Sequence, residues 1–426
     1  MSPKKQAAEL SPASLDKLFS PLKRFRHLAL AVSGGTDSMA LMLLAAGWKG
    51  PTKFSVLTVD HGLRAQSARE AKQVVKWARD LGLKAHLLAW TEKPAAAIQA
   101  RAREARYRLI AEWCAQNDAD GAVTAHTLDD QAETLLMRLA RGSGIDGLSA
   151  MAEETTLYGV RILRPLLHIP RQRLEKFLKE RNQAFIDDPS NANRTFERIR
   201  IRQAREQLAE LGLKPEALAL AAHRLGRARQ ALEKATDELE GRVVEVQAQG
   251  HAIIELAPFQ AAAEEIRLRL LARLLERIGG ASPPPQLKEV ERLGDWLKGS
   301  LGRARTLGGC RVQRRSGSLI IGRESGRMSG EPVRIEPGET LIWDDRFKIR
   351  LGREGGKSLM ILPLGKAKDV AQVKRPKNVP NFVFKALPAL IREGQVALVP
   401  HIGYRGAGFS GLKAEVVPLV RHLIIH

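Results

Sequence analysis

Between about Arg26 and Arg141 the chain repeats one pattern: a short apolar run, a breaker, then a longer helical stretch. "HLALAV", "FSVLTVDHG", "KAHLLAW" and "GAVTAH" read as strands. "SMALMLLAAG", "SAREAKQVVKWARDLG", "AIQARAREARYRLIAEWCAQN" and "LDDQAETLLMRLARG" read as the helices between and after them, with Gly82 and Gly142 as stops. Strands that are apolar without alternation are buried on both faces, which requires a parallel sheet with helices above and below. Ligands of such sheets bind beyond the carboxyl ends of the strands. The segment Ser33-Gly34-Gly35-Thr36-Asp37-Ser38 falls at such an end, after the first strand.

Beyond this core, "GVRILRPLL" reads as a fifth strand, and Pro170 suits the first turn of the helix "PRQRLEKFLKERN". "IDDPSNANRTFERIRIRQAREQL" turns through Pro189 into an arginine-dense helix. Composition from Pro215 to about Gly279 is helical, with "GGASPPPQ" as a breaker. "CRVQRRSGSLIIGRE" predicts a hairpin turning near Ser316-Gly317, and "RMSGEPVRIEPGET" reads as a linker into a third, β-containing module. The expected organisation is an α/β domain over residues 1–213, a mainly helical domain over 214–326 ending in the hairpin, and a small α+β domain over 327–426.

Composition narrows the function classes. The longest uncharged apolar stretch, "MALMLLAAGW", is about half of the roughly 20 residues a membrane helix needs. No apolar signal-peptide core follows the charged N-terminal residues, so no membrane partner and a cytoplasmic location are expected. The two cysteines, Cys114 and Cys310, form no CxxC pair for zinc or redox chemistry. The formal charge of +22 predicts attraction to a phosphate backbone. Only 5% of residues are aromatic, so backbone contact and shape should outweigh base stacking. Monomer and homodimer both fit the sequence.

Two glycines between strand and helix let backbone N–H groups line a concavity where a phosphate approaches without meeting Cβ atoms. The hydroxyls of Ser33 and Ser38 can donate to the same oxygens, while the lysine of a Walker loop is absent. Asp37 would repel bare phosphate, which points to a Mg²⁺ bridge or a role toward a nucleophile. "SGGTDS" resembles the SGGxDS signature of the PP-loop ATP pyrophosphatases, an adenine nucleotide alpha hydrolase-like fold whose members split ATP to AMP and pyrophosphate.

In "TAHTLDDQAETLLMRLARGSGIDGL", Ala132, Leu135, Leu136 and Leu139 share one helix face, while Asp130 and Glu133 point together on the opposite side. Two converging carboxylates can hold a cation such as an ammonium group, or simply form a solvated acidic face that suits the helix dipole. Together with "VDHGLR", "AREARY", "DPSN", "RGSGIDGLSAM" and "RPLL", this segment resembles the tRNA(Ile)-lysidine synthetase family. The resemblance implies an enzyme that joins L-lysine to C2 of the wobble cytidine of a CAU-anticodon tRNA(Ile), with ATP and Mg²⁺. It assigns Ser33, Gly34, Gly35, Thr36, Asp37 and Ser38 to the ATP loop, with Asp37 as the metal ligand. It assigns Asp130 and Glu133 to the lysine side chain, and Arg106, with Asp37 and Asp130, to catalysis. His61 and Arg64 end the second strand, where His61 is placed at the adenosine; Arg103, Arg198, Arg200 and Arg202 are placed against the tRNA. The chain departs from the family pattern at Ile199, where Asn is expected, and at Thr127, where His or Asn is frequent. The absence of CxxC argues against a thiolase of the same superfamily, and +22 is excessive for a small-molecule amidotransferase. A tRNA-binding protein with a retired ATP loop would not need Ser33, Asp37 and Ser38 intact.

Overall fold

The computed structural model describes residues 10–62, 66–91, 98–187, 197–280, 282–299, 304–354 and 357–419. Arg64 and the "DPSN" segment, with Pro189, lie outside the described residues. The chain divides into two compact units, Met1–Gln230 and Ala231–His426.

The first unit runs α1 (Pro12–Leu18), β1 (His27–Ala31), α2 (Thr36–Gly47), β2 (Lys53–Asp60), α3 (Ser67–Asp80), β3 (Lys84–Ala89) and α4 (Ile98–Gln116). It continues through β4 (Gly121–Val123), α5 (Leu128–Ala140), α6 (Ile145–Leu148), β5 (Glu154–Leu157), β6 (Val160–Leu163), α7 (Arg171–Lys179), α8 (Glu197–Gln203) and α9 (Arg205–Glu210). The six strands form one sheet in the order β3-β2-β1-β4-β6-β5, parallel except for the β5–β6 pair. The chain leaves β1 for β2 and β3 on one side, then returns to place β4 on the other. The crevice at the carboxyl ends of β1 and β4 is therefore the topological switch point, where such sheets bind ligands.

The apolar run of β1 is explained by its two neighbours. Leu28 and Leu30 pack into a core with Met39, Leu41 and Met42 of α2 and Leu174 and Leu178 of α7. Ala29 faces the other layer, with Tyr107, Ile110 and Cys114 of α4. Small residues on that face let α4 approach closely. Residues that read as a fifth strand form β6, but β5 beside it was not expected; Tyr158 and Gly159 join the two with φ of 51° and 78°. That pair of positive φ values makes a tight hairpin turn.

The long helix α10 (Pro215–Val243) begins in the first unit and ends in the second. The second unit contains β7 (Val244–Gln247), β8 (His251–Glu255), α11 (Leu256–Ala261), α12 (Glu264–Ile278), α13 (Leu287–Lys298), β9 (Ala304–Leu307), β10 (Cys310–Arg315) and β11 (Ser318–Arg323). The predicted hairpin forms as β10 and β11, turning at Ser316-Gly317. It sits inside a five-stranded antiparallel sheet with β7, β8 and β9. The β7–β8 hairpin lies inside a stretch that reads as helical by composition; its alternating "VEVQ" and the Gly250 turn override that average. Among the described residues eight further strands, β12 (Val333–Ile335) to β19 (Ala414–Pro418), form two more antiparallel sheets, so part of the expected linker is strand. Among the described residues no helix is long and apolar enough to cross a membrane.

Candidate active site

The loop between β1 and α2 is held by its own polar groups. Ser38 Oγ donates to the Gly35 carbonyl at 2.9 Å and accepts from the Ser33 amide at 3.2 Å. The two serine hydroxyls lie 3.2 Å apart. Gly34 has φ of 91°, and a Cβ there would overlap Ile186 Cδ1 and lie 3.0 Å from Val74 Cγ2. Its carbonyl accepts from the Ile186 amide at 2.9 Å, so the loop is stitched to the segment after α7. No side chain caps α2, which leaves its first-turn amides to an incoming acceptor. Thr36 opens that helix, and Asp37 follows in its first turn.

Across the crevice, Thr127 caps α5 in a reciprocal capping box with Asp130. Asp130 Oδ2 accepts from the Thr127 amide at 2.9 Å and from its hydroxyl at 3.0 Å, which turns Oδ1 toward the crevice. Both Asp130 and Glu133 are buried, so the solvated acidic face is excluded. Ala132 and Leu135 pack against Leu218 on the other side of the helix, as the apolar pattern predicts, while Leu139 is exposed.

One arginine joins loop and helix. Arg171, the first residue of α7, donates from Nε to Asp37 Oδ2 at 2.9 Å and from Nη2 to Asp130 Oδ1 at 3.1 Å. Its Nη1 lies 3.6 Å from Glu133 Oε1, and its backbone amide donates to Asp129 Oδ2 at 2.7 Å. The residues expected to bind nucleotide and lysine therefore share one side-chain network. Arg202 adds a second cation: its Nε donates to Glu133 Oε1 at 2.6 Å, and its Nη2 to Glu133 Oε2 at 3.1 Å and Asp130 Oδ1 at 3.3 Å. Arg198 Nε lies 3.4 Å from Glu133 Oε2. Arg200 is exposed, and Ile199, at the family's Asn position, is buried.

Burial pushes the Asp37 carboxyl up to about 6, against the opposing pull of Arg171. Burial also disfavours charge on Asp130, but Arg171 and the Thr127 amide hold that carboxyl below its ordinary range. Of the Asp37 oxygens, Oδ1 is buried and has no hydrogen-bond partner among the described residues. This is the chemistry a Mg²⁺ ion requires of a protein ligand when phosphate oxygens supply most of its shell. Among the described residues no group of three acidic, histidine or cysteine side chains could hold a metal alone.

The PP-loop domain family matches residues 8–208. The tRNA(Ile)-lysidine synthase of Wolbachia pipientis wMel is 34% identical over 397 residues, 92% of this chain and 92% of that protein. The chain belongs to the tRNA(Ile)-lysidine synthase family. Two further relatives of that name, from Bradyrhizobium sp. (strain BTAi1) and Rhodopseudomonas palustris, are 42% and 45% identical. They align over 78% and 68% of this chain and over 97% and 85% of their own lengths.

In this member of the synthase family a second, cationic group lies at the strand ends. Arg106 on α4 donates from Nε to His61 Nε2 at 3.3 Å, with Nη2 at 3.2 Å from the same atom. His61 is thus an acceptor at Nε2, and burial with the Arg106 charge pushes it down to about 4. Arg103 is exposed, its guanidinium 5.4 Å from the Tyr107 ring. His126, bonded through Nδ1 to the Thr124 hydroxyl at 2.8 Å, is pushed down to about 3 by burial. Both histidines are neutral at physiological pH.

Sequence reasoning missed Arg171. A signal existed: a cation on the first residue of a helix opposes the dipole, which calls for a carboxylate nearby. Nothing local names that carboxylate, since Asp37 is 134 residues away.

Proposed function

We propose that the protein ligates L-lysine to C2 of the wobble cytidine of CAU-anticodon tRNA(Ile), consuming ATP and releasing AMP and pyrophosphate. The observation that carries this reading is the shared network: Arg171 ties Asp37 of the nucleotide loop to Asp130 and Glu133 of the cation pair. Family membership supports the tRNA and the ligase chemistry. The finer assignments rest on chemistry.

The cytidine C2 oxygen attacks the α-phosphorus of ATP, and pyrophosphate leaves. The oxygen, now part of an adenylate, becomes a good leaving group; the lysine ε-nitrogen attacks C2, loses its proton, and AMP departs. The loop Ser33–Ser38 and the first turn of α2 would cradle the phosphates with backbone amides. Asp37 would hold Mg²⁺, which supplies charge neutralisation on the phosphate oxygens when bound. Asp130 and Glu133 would bind the ε-ammonium and orient it. His126 is too weak a base in its present surroundings to take the amine's proton. His61 would meet the adenosine and Arg106 the reacting phosphate, while Arg103 and Arg200 would meet the tRNA; Arg198 and Arg202, which rest on Glu133 in the free protein, would meet it only on leaving that carboxylate. The division into a catalytic domain, 1–213, and two tRNA-binding modules, 214–326 and 327–426, belongs to the same proposal.

Pyrophosphate release by the purified full chain tests it. Release should require tRNA(Ile), with AMP accumulating only when lysine is also present. Release that ignores tRNA would refute the reading.

A further inference from the structure

Asp130 and Glu133 are already occupied. Arg202 binds both Glu133 oxygens and Asp130 Oδ1, a bidentate clasp that fills the cation position between the two helices' side chains. The surrounding charges balance without a ligand: Asp37, Asp130 and Glu133 face Arg171, Arg198 and Arg202, and the neighbouring Asp129 is paired with Arg205 at 2.8 Å. An added ammonium would leave this buried group with an uncompensated positive charge, which a low-dielectric site opposes. One arginine has to leave when the amine arrives.

The three are not equally free. Arg171 is fixed twice, by its side chain and by its backbone amide on Asp129, and its side chain is 17% exposed. Arg202 is 32% exposed and sits in the last turn of the seven-residue α8, ahead of the break at Ala204. Arg198, though similarly exposed, pairs with only one of the two carboxylates, Glu133 at 3.4 Å, and donates to Thr134 Oγ1 at 3.3 Å. Arg202 is the group that holds both carboxylates and has a path to solvent.

Resting on the reading of Asp130 and Glu133 as the lysine subsite, we propose that Arg202 stands in for the lysine ε-ammonium in the free protein. Lysine is admitted when a phosphate-bearing ligand draws the Arg202 guanidinium away. Guanidinium suits both partners, since its fork matches carboxylate and phosphate equally. The exchange couples lysine affinity to occupation by an anion, so the amine is bound tightly only once the acceptor is in place. Both the RNA backbone and the nucleotide carry the required phosphate chemistry.

Calorimetric titration of L-lysine into the full chain tests the proposal. A self-occupied site weakens apparent affinity by the fraction of time it is open. Arg202→Gln should therefore bind lysine about tenfold or more tighter than the parent protein without any other ligand. Arg202→Lys, which keeps a flexible charge, should fall between. The parent protein should tighten on lysine when either tRNA(Ile) or Mg²⁺-ATP is added, and the arm that does so identifies the anion. Arg202→Gln should show no such tightening. Lysine binding by Arg202→Gln and Arg202→Lys that is equal to or weaker than the parent's would overturn the proposal. Glu133→Gln reports on the underlying reading separately: undiminished lysine binding by that variant would remove the lysine subsite itself.

Discussion

Replacing Arg171 by alanine removes the one side chain among the described residues that contacts Asp37, Asp130 and Glu133 together. The cost follows from how the carboxylates are otherwise served. Asp130 and Glu133 keep Arg202, and Glu133 also keeps Arg198. Asp37 keeps nothing comparable, because its Oδ2 bond to Arg171 is lost and its Oδ1 is already unpartnered. Stranding a fully buried carboxylate costs about 3–5 kcal/mol; Asp37 is half-buried, its side chain 21% exposed, and other arginines remain nearby, so the loss should fall at or below the lower end. The chain can relieve itself by protonation. The Asp37 carboxyl, already raised to about 6, moves higher still without Arg171, while its unfolded value stays about 3.9. Between those values the folded state binds the extra proton, so the variant loses stability as pH rises through that window. Urea unfolding of the full chain at about pH 5 and about pH 8 should show the larger deficit at the higher pH. Adding Asp37→Asn to Arg171→Ala should recover part of it, with a coupling of roughly 1 kcal/mol or more. A deficit below about 1 kcal/mol at the higher pH, or strict additivity of the two changes, would refute the electrostatic argument.

Further outcomes follow from the same geometry. Asp37→Asn alone should flatten the fall in stability that the parent shows between about pH 4 and pH 6, worth on the order of 2 kcal/mol; an unchanged pH–stability curve would contradict the burial of that carboxylate. Gly34→Ala meets both a φ of 91° and the overlap with Ile186, so it should destabilise by at least about 1–2 kcal/mol and abolish ATP binding in equilibrium dialysis. A variant that binds ATP normally would show that the turn tolerates another shape. With His61 and His126 lowered to about 4 and about 3, neither should protonate between about pH 5 and pH 8. Histidine resonances titrating in that range from either ring would disprove their burial.

The parallel core was legible because its signal is local. Each strand is an apolar run bounded by a breaker, and Ser33–Ser38 interrupts two such runs in a way that only a ligand or a tight turn explains. The acidic pair was legible as a pair, but not its burial: helical periodicity places Asp130 and Glu133 together, while only the tertiary fold lays Arg171, Arg198 and Arg202 over them. The arginine-dense segment illustrates the limit well. A run of arginines reads as an RNA-facing surface, yet Arg198 and Arg202, at i and i+4, share the face turned to the carboxylates, and Arg200 points outward. Charge counting along the chain cannot distinguish those faces without knowing what packs beside the helix. The β7–β8 hairpin escaped for a different reason, since two short strands are diluted by the long helices on either side.

The central claim is that one crevice activates an RNA base with ATP and delivers a lysine amine to it. Incubating the full chain with ATP, Mg²⁺, radiolabelled L-lysine and, in parallel, the isoleucine and methionine tRNAs that share a CAU anticodon measures this most directly. The account predicts label in the isoleucine species alone, one AMP per lysine incorporated, and loss of label with Glu133→Gln. Label in neither RNA, or incorporation that survives Asp37→Ala at the full rate, would contradict it.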